Sequence, residues 1–265
     1  MSLLTDDPAT IAGRFLSARR AAAGLADYPG GLPETLDQAY EVQDRAIADW
    51  GKSVLGWKVG RIAPPLSERF GADRLAGPIF AAQVGSRDGA IPEMPVFADG
   101  FAAGEAEFLL RIGAAPPPDK DAYTMAEAAD LIDAVHVGIE IASSPLGSIN
   151  RLGPIAVISD FGNNNGLVVG AAIEGWRAID LDTWPVELYI NGERVGADTT
   201  ATMLDGPYGA ARFLFEALAA RGIALTPGQW ISTGAVTGVH PVSIGDRVEA
   251  IFDGRLPVDC VIEAR

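Results

Sequence analysis

Cysteine and histidine are nearly absent from this chain of 265 residues, which has only Cys260, His136 and His240. A single cysteine excludes an intrachain disulfide and any zinc cluster built on thiolates. The chain also has no Gly-x-Ser-x-Gly nucleophile elbow, so a serine hydrolase has little support. We therefore expect both histidines to be structural and Cys260, which lies in an apolar C-terminal run, to be an inert core thiol.

Positive charge and long apolar runs are scarce as well. Twenty Lys and Arg residues stand against 35 Asp and Glu residues, which gives a net charge of −15. Without a basic tract, this balance argues against nucleic acid or an anionic membrane as a partner. No run of eighteen apolar residues is present, and the first residues lack the basic and apolar regions of a secretory signal. We expect a soluble, cytoplasmic protein.

The order of local patterns predicts an α+β protein. Pro8 can occupy the first turn of one helix, and Thr35 can cap a second. From Ser53 the chain changes to short apolar runs divided by Gly and Pro, which is typical of strands. We predict an N-terminal helical region with the first strands over residues 1–85 and a β-rich region with the candidate site over residues 86–265.

Several later elements follow from their own patterns. Thr124 to about Val135 is predicted as an amphipathic helix that leads into a strand. Residues 186–195 alternate around Asn191-Gly192, which is a strong hairpin signal. Residues 207–221 have helical spacing. Strands are predicted at residues 137–141, 229–232 and 246–252.

Three glutamates in apolar surroundings are the strongest candidates for chemistry. Glu105 and Glu107 lie two positions apart on a predicted strand, so their side chains project from one face. Glu140 lies in a second apolar strand, where a charge needs a partner. Three carboxylates suit a hard cation such as Mg²⁺ or Mn²⁺. The alternative is a solvated strand end for the first two and a salt bridge for Glu140.

Lys58, Asp160 and the segment Ser232-Thr233-Gly234 form a second set of candidates. Lys58 is a lone cation in an apolar run, suited to orient a carboxylate or transfer a proton unless it reaches the surface. Asp160 ends another apolar run, where an Asx turn is the simpler interpretation. The hydroxyls and glycine at 232–234 follow a strand and can bind an anion, although an ordinary turn explains them equally well.

Taken together, these motifs resemble the 2-keto-4-pentenoate hydratase and 4-oxalocrotonate decarboxylase family of the fumarylacetoacetate hydrolase superfamily. The resemblance runs over nearly the whole chain. The Glu-x-Glu pair with a distant third Glu is typical of the superfamily, and the segments around Lys58 and Tyr40 point to the hydratase and decarboxylase branch. The matching segments are residues 39–44, 56–60, 77–81, 105–107, 136–140, 160, 233–234 and 245–246.

The resemblance implies a fumarylacetoacetate-hydrolase-like β-roll or sandwich with a smaller helical region before it. It implies that Glu105, Glu107 and Glu140 hold Mg²⁺ or Mn²⁺. It also implies proton transfer and water positioning by Lys58 and Asp160, and a contact of Ser232, Thr233 and Gly234 with the substrate carboxylate. The expected substrate is a small 2-oxo or 2-hydroxy-dienoic acid. The resemblance also leads us to expect a homo-oligomer and a complex with a partner enzyme of the same pathway.

Two departures separate this chain from the family pattern. Family members often continue after the third Glu with Val-Val-Asp-Ser-Arg, whereas Ser143 and Pro145 stand here in place of the Asp and Arg. An Asn commonly follows the family's Asp, and here it is Phe161. The leading expectation is a hydratase of a 2-hydroxy-2,4-dienoate, with a 4-oxalocrotonate decarboxylase as the nearest alternative. A fumarylpyruvate-type hydrolase lacks support because no histidine precedes the Glu-x-Glu strand, and a non-catalytic partner subunit is the remaining alternative.

Overall fold

A computed structural model describes residues 7–85 and 90–265. Within these residues the chain forms seven α-helices and thirteen strands, joined by loops and short 3₁₀ turns. The helices are α1 (Pro8–Ala21), α2 (Leu36–Trp50), α3 (Leu66–Phe70), α4 (Met125–Asp130), α5 (Ile149–Leu152), α6 (Pro154–Ser159) and α7 (Gly206–Ala220). The strands are β1 (Gly56–Arg61), β2 (Arg74–Ile79), β3 (Ala82–Val84), β4 (Glu93–Val96), β5 (Phe101–Ile112), β6 (Ile132–Ser144), β7 (Asn164–Ala172), β8 (Val186–Ile190), β9 (Glu193–Asp198), β10 (Trp230–Ser232), β11 (His240–Pro241), β12 (Arg247–Phe252) and β13 (Leu256–Ala264).

Two sheets form the body of the protein. The larger has the order β2-β1-β10-β5-β6-β7-β3, with β11 pairing to the start of β5. The smaller has the order β4-β13-β12-β8-β9. Apolar side chains from both sheets and from α7 make one large core, in which Phe108, Phe252 and Phe215 are buried. Strands β5 and β6 run antiparallel through the middle of the larger sheet, so their central residues lie in the interior.

The N-terminal helices form a second, smaller core. Helix α1 packs against α2, and both contribute to a cluster that includes Phe15, Val42 and Phe161. The Thr35 hydroxyl accepts a hydrogen bond from the Gln38 amide and caps α2, as predicted. The helical layer is therefore anchored directly against the loop that contains Phe161.

The predicted α+β class is confirmed, and most local predictions hold. Residues 186–198 form the predicted hairpin, and Asn191 and Gly192 both have positive φ, as a type I′ turn requires. One prediction is wrong in its length. The helix begun at Thr124 ends at Asp130, and β6 already starts at Ile132. Backbone pairing of residues 132–135 with the end of β5 overrides their helical spacing.

The structure also shows the environments of Cys260 and of the two histidines. Cys260 is buried, and burial raises the pKa of its thiol to about 12. His136 hydrogen-bonds the Gly170 carbonyl through Nδ1, and His240 hydrogen-bonds the Thr237 carbonyl through Nε2. No helix in the two described stretches is both long and apolar enough to cross a membrane.

The division of the chain at residue 85 stays a prediction, and its boundary lies at residues 86–89, outside the described residues. Strands β1, β2 and β3 come from the first region but pair within the same sheet as β5, β6 and β7. That pairing places Lys58, on β1, in one sheet with the three glutamates.

Candidate metal centre

Register brings the three predicted carboxylates onto one face of the larger sheet. Glu105 on β5 lies directly opposite Glu140 on β6, and Glu107 lies opposite Gly138. Directly opposed residues of an antiparallel pair share a face, and so do residues two apart on one strand. Glu105 is 5% exposed, and Glu107 and Glu140 are fully buried. One carboxylate oxygen from each residue lies within 4.8 Å of the other two.

Each of the two fully buried carboxylates has one oxygen bound to protein and one free. Glu107 Oε2 accepts hydrogen bonds from the Ser232 hydroxyl at 2.6 Å and the Gly234 amide at 2.9 Å. Glu140 Oε1 accepts from Asn164 Nδ2 at 3.0 Å and lies 3.5 Å from Lys58 Nζ. The other oxygens, Glu107 Oε1 and Glu140 Oε2, are buried and have no hydrogen-bond partner. Buried charged oxygens without partners are costly, so this donor set fits a bound cation.

The chemistry of the three donors favours a hard divalent ion. All are carboxylate oxygens, and within residues 7–85 and 90–265 no histidine or thiolate joins the group. Such a set suits Mg²⁺ or Mn²⁺ better than zinc. The alternative to a metal site is a solvated strand end for Glu105 and Glu107 together with a salt bridge for Glu140. The solvated strand end does not hold, because Glu105 and Glu107 are buried. The salt bridge to Glu140 does exist, but it uses only one of that residue's two oxygens.

Lys58 reaches this cluster because glycines occupy two backbone positions beside its side chain. Gly77 lies opposite Lys58 on β2, and a Cβ there would come within 2.5 Å of the Phe161 carbonyl. Gly162, with φ of +67°, lies so close that a Cβ on it would be 3.0 Å from Lys58 Cδ. The two glycines let the 161–162 backbone cover the lysine stem. The stem is thereby enclosed, its Nζ lies 3.5 Å from Glu140 Oε1, and Lys58 is only 6% exposed.

Burial and mutual charge perturb the ionisation of the cluster. Burial, opposed by the attraction of Lys58, raises the pKa of Glu105 to about 7. Burial together with the charges of Glu140 and Glu105 raises the pKa of Glu107 well above its ordinary value. Burial alone would lower the pKa of Lys58, but the fields of Glu140, Glu105 and Glu107 outweigh it and the pKa is raised. Without a metal, therefore, Lys58 stays a cation, and Glu105 and Glu107 hold protons to higher pH than exposed carboxylates do.

The segment Ser232-Thr233-Gly234 lies beside the same carboxylates. Ser232 is fully buried and bonded to Glu107, so its hydroxyl orients a candidate ligand. The Thr233 hydroxyl donates to the Phe108 carbonyl at 2.9 Å. Thr233 and Gly234 both line a cavity of about 430 Å³ that also reaches Lys58 and Glu105. The predicted contact of these three residues with a substrate carboxylate stays a prediction.

Asp160 has a different environment from the other predicted residues. Its Oδ1 accepts from Arg19 Nε at 2.5 Å, and its Oδ2 accepts from Arg19 Nη2 at 3.0 Å and from the Ser144 hydroxyl at 2.6 Å. Asp160 is 1% exposed and is not among the residues that line the cavity. Gly162 and Asn163, which follow Phe161 in the sequence, do line the cavity. The water-positioning role of Asp160 stays a prediction.

Sequence reasoning missed two residues that support the site. Arg19, on α1, is buried and also donates to the Asn164 and Ser143 carbonyls at 3.4 and 3.3 Å. Asn164, which donates a hydrogen bond to Glu140, lies in a run of three asparagines, residues 163–165, that follows Asp160 closely in the sequence. Arg19 had no signal in the sequence, because a basic residue near the end of a helix is ordinary.

The structure shows the contacts of the three residues that depart from the family pattern, Ser143, Pro145 and Phe161. The Ser143 hydroxyl donates to the Phe101 carbonyl at 2.6 Å and accepts from the Phe97 amide at 3.1 Å. The Pro145 carbonyl accepts from the Leu25 amide at 2.7 Å. Phe161 has positive φ, and its ring lies 4.9 Å from the Arg19 guanidinium. All three positions therefore have structural contacts, those of Ser143 and Phe161 include Arg19, and none of the three lines the cavity.

Comparisons with known proteins agree with this fold. No model of a protein family matches the chain. The chain is 26% identical over 259 residues to 2-keto-4-pentenoate hydratase 1 of Dechloromonas aromatica strain RCB, covering 93% of this chain and 90% of that protein. It is 30% identical over 111 residues to 4-oxalocrotonate decarboxylase of Pseudomonas sp. strain CF600, covering 42% of this chain and 40% of that one.

Solved structures share the fold at lower identity. The 4-oxalocrotonate decarboxylase of Pseudomonas putida G7, complexed with magnesium and adipate, has a TM-score of 0.78 at 21% identity, covering 98% of this chain and 99% of that one. The fumarylpyruvate hydrolase of Pseudomonas aeruginosa, complexed with Mn²⁺ and pyruvate, has a TM-score of 0.58 at 14% identity, covering 79% and 89%.

These likenesses define the class of the protein. The chain has the fold of the fumarylacetoacetate hydrolase superfamily. Its resemblance to the 2-keto-4-pentenoate hydratase and 4-oxalocrotonate decarboxylase family is confirmed. The buried carboxylate triad of this chain supports the expected divalent-metal site.

Proposed function

We propose that the protein is a divalent-metal-dependent hydratase that acts in the catabolism of aromatic compounds. It would add water to a 2-hydroxy-2,4-dienoate of the 2-keto-4-pentenoate type and give a 4-hydroxy-2-oxo acid. The observation that carries the proposal is the pair of buried, unpartnered oxygens of Glu107 and Glu140 beside the cation of Lys58. Similarity to a hydratase over nearly the whole chain supports it, and both curated relatives have the names of lyases.

The residues divide the work by their charges. A divalent cation held by Glu105, Glu107 and Glu140 would supply Lewis acidity towards the carboxylate and 2-oxo oxygens of a substrate. Lys58 is protonated and fixed at the wall of the cavity, so its Nζ can donate a hydrogen bond to an oxygen that gains negative charge, or pass on a proton. We assign proton transfer to Lys58.

In this proposal the other predicted residues support the site and do not transfer the proton themselves. Ser232 and the Gly234 amide hold one oxygen of Glu107, so the free oxygen stays directed towards the cation. Both oxygens of Asp160 are bonded to Arg19 and Ser144, so any effect on water passes through residues 161–164. Thr233 and Gly234 shape the wall on which the substrate carboxylate would lie.

A 4-oxalocrotonate decarboxylase is the second candidate. The same residues, with a cation held by the three glutamates, would stabilise the negative charge that moves to the substrate's 2-oxo oxygen as the C–C bond breaks and CO₂ leaves. The similarity to a decarboxylase of Pseudomonas supports this activity. The decarboxylase substrate has a second carboxylate, whereas the simplest hydratase substrate has one. The two candidates therefore differ in what the far end of the cavity must bind.

The experiment is to follow the ultraviolet absorbance of 2-hydroxypenta-2,4-dienoate with the purified protein in Mg²⁺, in Mn²⁺ and in EDTA. Metal-dependent loss of the dienol band, with a 4-hydroxy-2-oxo acid as product, would establish the hydratase. If that band persists while 4-oxalocrotonate releases CO₂, the activity is the decarboxylase. Release of pyruvate from fumarylpyruvate would instead indicate a hydrolase.

Absence of all three reactions, together with absence of metal binding in a titration, would refute the enzymatic proposal and favour a non-catalytic partner subunit. A homo-oligomeric state and a complex with a pathway enzyme stay predictions, which sedimentation of the purified protein alone and with that enzyme would test. The cytoplasmic location stays a prediction as well.

A further inference from the structure

The outer part of the cavity carries positive charge that the metal centre does not use. Four charged residues line the cavity: Lys58 and Glu105 at its inner end, and Arg61 and Arg74. The cavity wall therefore has an excess of positive charge, although the whole chain has a net charge of −15. A divalent cation and Lys58 together would balance the three negative charges of the glutamates. The surplus positive charge of the cavity would then be that of Arg61 and Arg74.

Arg61 and Arg74 lie directly opposite each other on β1 and β2. Like charges in directly opposed positions of an antiparallel pair are destabilising unless an anion lies near them. Arg74 has such neighbours. Its guanidinium donates to the Leu204 carbonyl and lies 3.6 Å from Asp73 and 4.0 Å from Asp205.

Arg61 lacks this compensation. No hydrogen bond or ion pair joins its side chain to any other residue in the described part of the chain. It is the last residue of β1 and is exposed to solvent, whereas Arg74 is only 8% exposed. Strand alternation places Lys58 and Arg61 on opposite faces of β1. Both nevertheless line the cavity, because it extends past the end of the strand to Met203 and Leu204.

The spacing between the two ends suits a short molecule with two anionic groups. Arg61 is three residue steps along the strand from Lys58, which is about 10 Å at roughly 3.3 Å per step. A five- or six-carbon diacid together with the reach of an arginine side chain can cover that distance. Asn163 also lines the cavity and is 3% exposed, and its Oδ1 has no hydrogen-bond partner. A hydrogen-bond donor on the ligand would satisfy that oxygen.

We propose that Arg61, supported by Arg74, binds a second carboxylate, so the substrate is a dicarboxylic 2-oxo or 2-hydroxy-dienoic acid. This inference rests on the proposed function, because it requires the first carboxylate and the 2-oxo group at the glutamate triad. It assigns the substrate class of the proposed hydratase, which would act on a dienoate with a distal carboxylate. A decarboxylase would release that carboxylate as neutral CO₂, and two arginines bound to it would stabilise the ground state and oppose its loss.

Two unreactive ligands that differ only at the distal end provide the test. 2-Oxoadipate and 2-oxohexanoate carry the same 2-oxo acid group, and only the first has a second carboxylate. Calorimetric titration of the Mg²⁺-loaded protein should show 2-oxoadipate binding at least about tenfold more tightly, as a charge-assisted hydrogen bond predicts. Arg61→Gln should reduce 2-oxoadipate to the affinity of 2-oxohexanoate and leave 2-oxohexanoate unchanged.

The matched control is Arg69→Gln, which removes the same charge from an exposed residue of α3 that does not line this cavity. It should change neither affinity. Equal binding of both ligands, with no effect of Arg61→Gln, would overturn the second carboxylate site and leave the proposed function in place. Failure of both ligands to bind the Mg²⁺-loaded protein would overturn the proposed function and this inference with it. An equal loss of 2-oxoadipate affinity in Arg69→Gln would show general charge attraction and would also overturn the site.

Discussion

Arg19 and Asp160 form a two-point ion pair in the interior, with Nε to Oδ1 at 2.5 Å and Nη2 to Oδ2 at 3.0 Å. The side chains are 3% and 1% exposed. Arg19 belongs to α1, and Asp160 immediately precedes the 161–164 loop. Because that loop covers Lys58 and ends at Asn164, which binds Glu140, the ion pair connects the helical layer to the candidate metal centre.

Arg19→Gln should lower the free energy of unfolding by about 3–5 kcal/mol. The reason is that the substitution leaves the Asp160 carboxylate buried without its cation. Denaturation in urea, monitored by circular dichroism and fluorescence, would measure the change. The double variant Arg19→Gln with Asp160→Asn should recover part of the loss, because the uncompensated charge is then removed.

The chain offers a matched control for that substitution. Arg111 and Asp133 have the same two-point geometry, at 2.8 and 3.0 Å, but their side chains are 43% and 45% exposed. Arg111→Gln should cost less than about 1 kcal/mol, since water screens and replaces an exposed pair. Equal losses in the two variants would show that burial does not determine the contribution of the Arg19 pair.

Ser232→Ala should weaken Mg²⁺ binding by roughly 10- to 100-fold, the usual range for loss of a hydrogen bond that orients a metal ligand. The hydroxyl holds Glu107 Oε2 at 2.6 Å, and without it the carboxylate can rotate away from the cation. Calorimetric titration with Mg²⁺ measures the affinity directly and needs no substrate.

Ser143→Ala separates this effect from a general loss of order. Ser143 is a buried serine too, but its hydroxyl contacts the Phe101 carbonyl and the Phe97 amide and touches no carboxylate. Its substitution should leave the Mg²⁺ affinity within a few-fold of the native value. If both alanine variants lost affinity equally, orientation of Glu107 by Ser232 would not be the cause.

The ligands of the candidate site could be predicted from sequence because their signal is local. Two glutamates at strand spacing, and a third inside an apolar strand, contradict ordinary burial preferences and so stand out. Lys58 stands out for the same reason. The orientation of these groups could not be predicted, because Asn164 and Ser232 acquire their roles only through strand register.

Arg19 and the length of α4 show two further limits. Arg19 is 141 residues from Asp160 in sequence, and nothing near it marks it as buried. Residues 132–135 have helical spacing, but the free edge of β5 offers them backbone hydrogen bonds and they extend β6 instead. In both cases a long-range contact overrides a local preference.

Cys260 should react very slowly with a thiol reagent at pH 8 in the native protein. Burial raises the pKa of its thiol to about 12, so little thiolate is present, and the side chain is fully buried. Reaction with 5,5′-dithiobis(2-nitrobenzoic acid) should become fast and stoichiometric in guanidinium chloride. Fast labelling without denaturant would show that the C-terminal strand β13 opens readily.

Removal of metal should make stability fall as pH rises. Burial raises the pKa of Glu105 from 4.5 to about 7 and raises that of Glu107 well above 4.5. Between pH 4.5 and about 7 the folded protein therefore binds more protons than the unfolded chain, so the free energy of unfolding decreases with increasing pH. In EDTA, Tm should be lower at pH 8 than at pH 5.5.

Mg²⁺ should reverse this trend, because it binds the ionised carboxylates of the folded state and its stabilisation grows with its affinity. The rise of Tm on adding Mg²⁺ should thus be larger at pH 8 than at pH 5.5, as measured by differential scanning fluorimetry. Glu105→Gln should remove most of the Mg²⁺ effect and weaken the pH dependence in EDTA, and comparison with the native protein subtracts every other titrating group. A Tm in EDTA that does not decrease with pH, with no response to Mg²⁺, would mean that the three carboxylates do not form a metal centre.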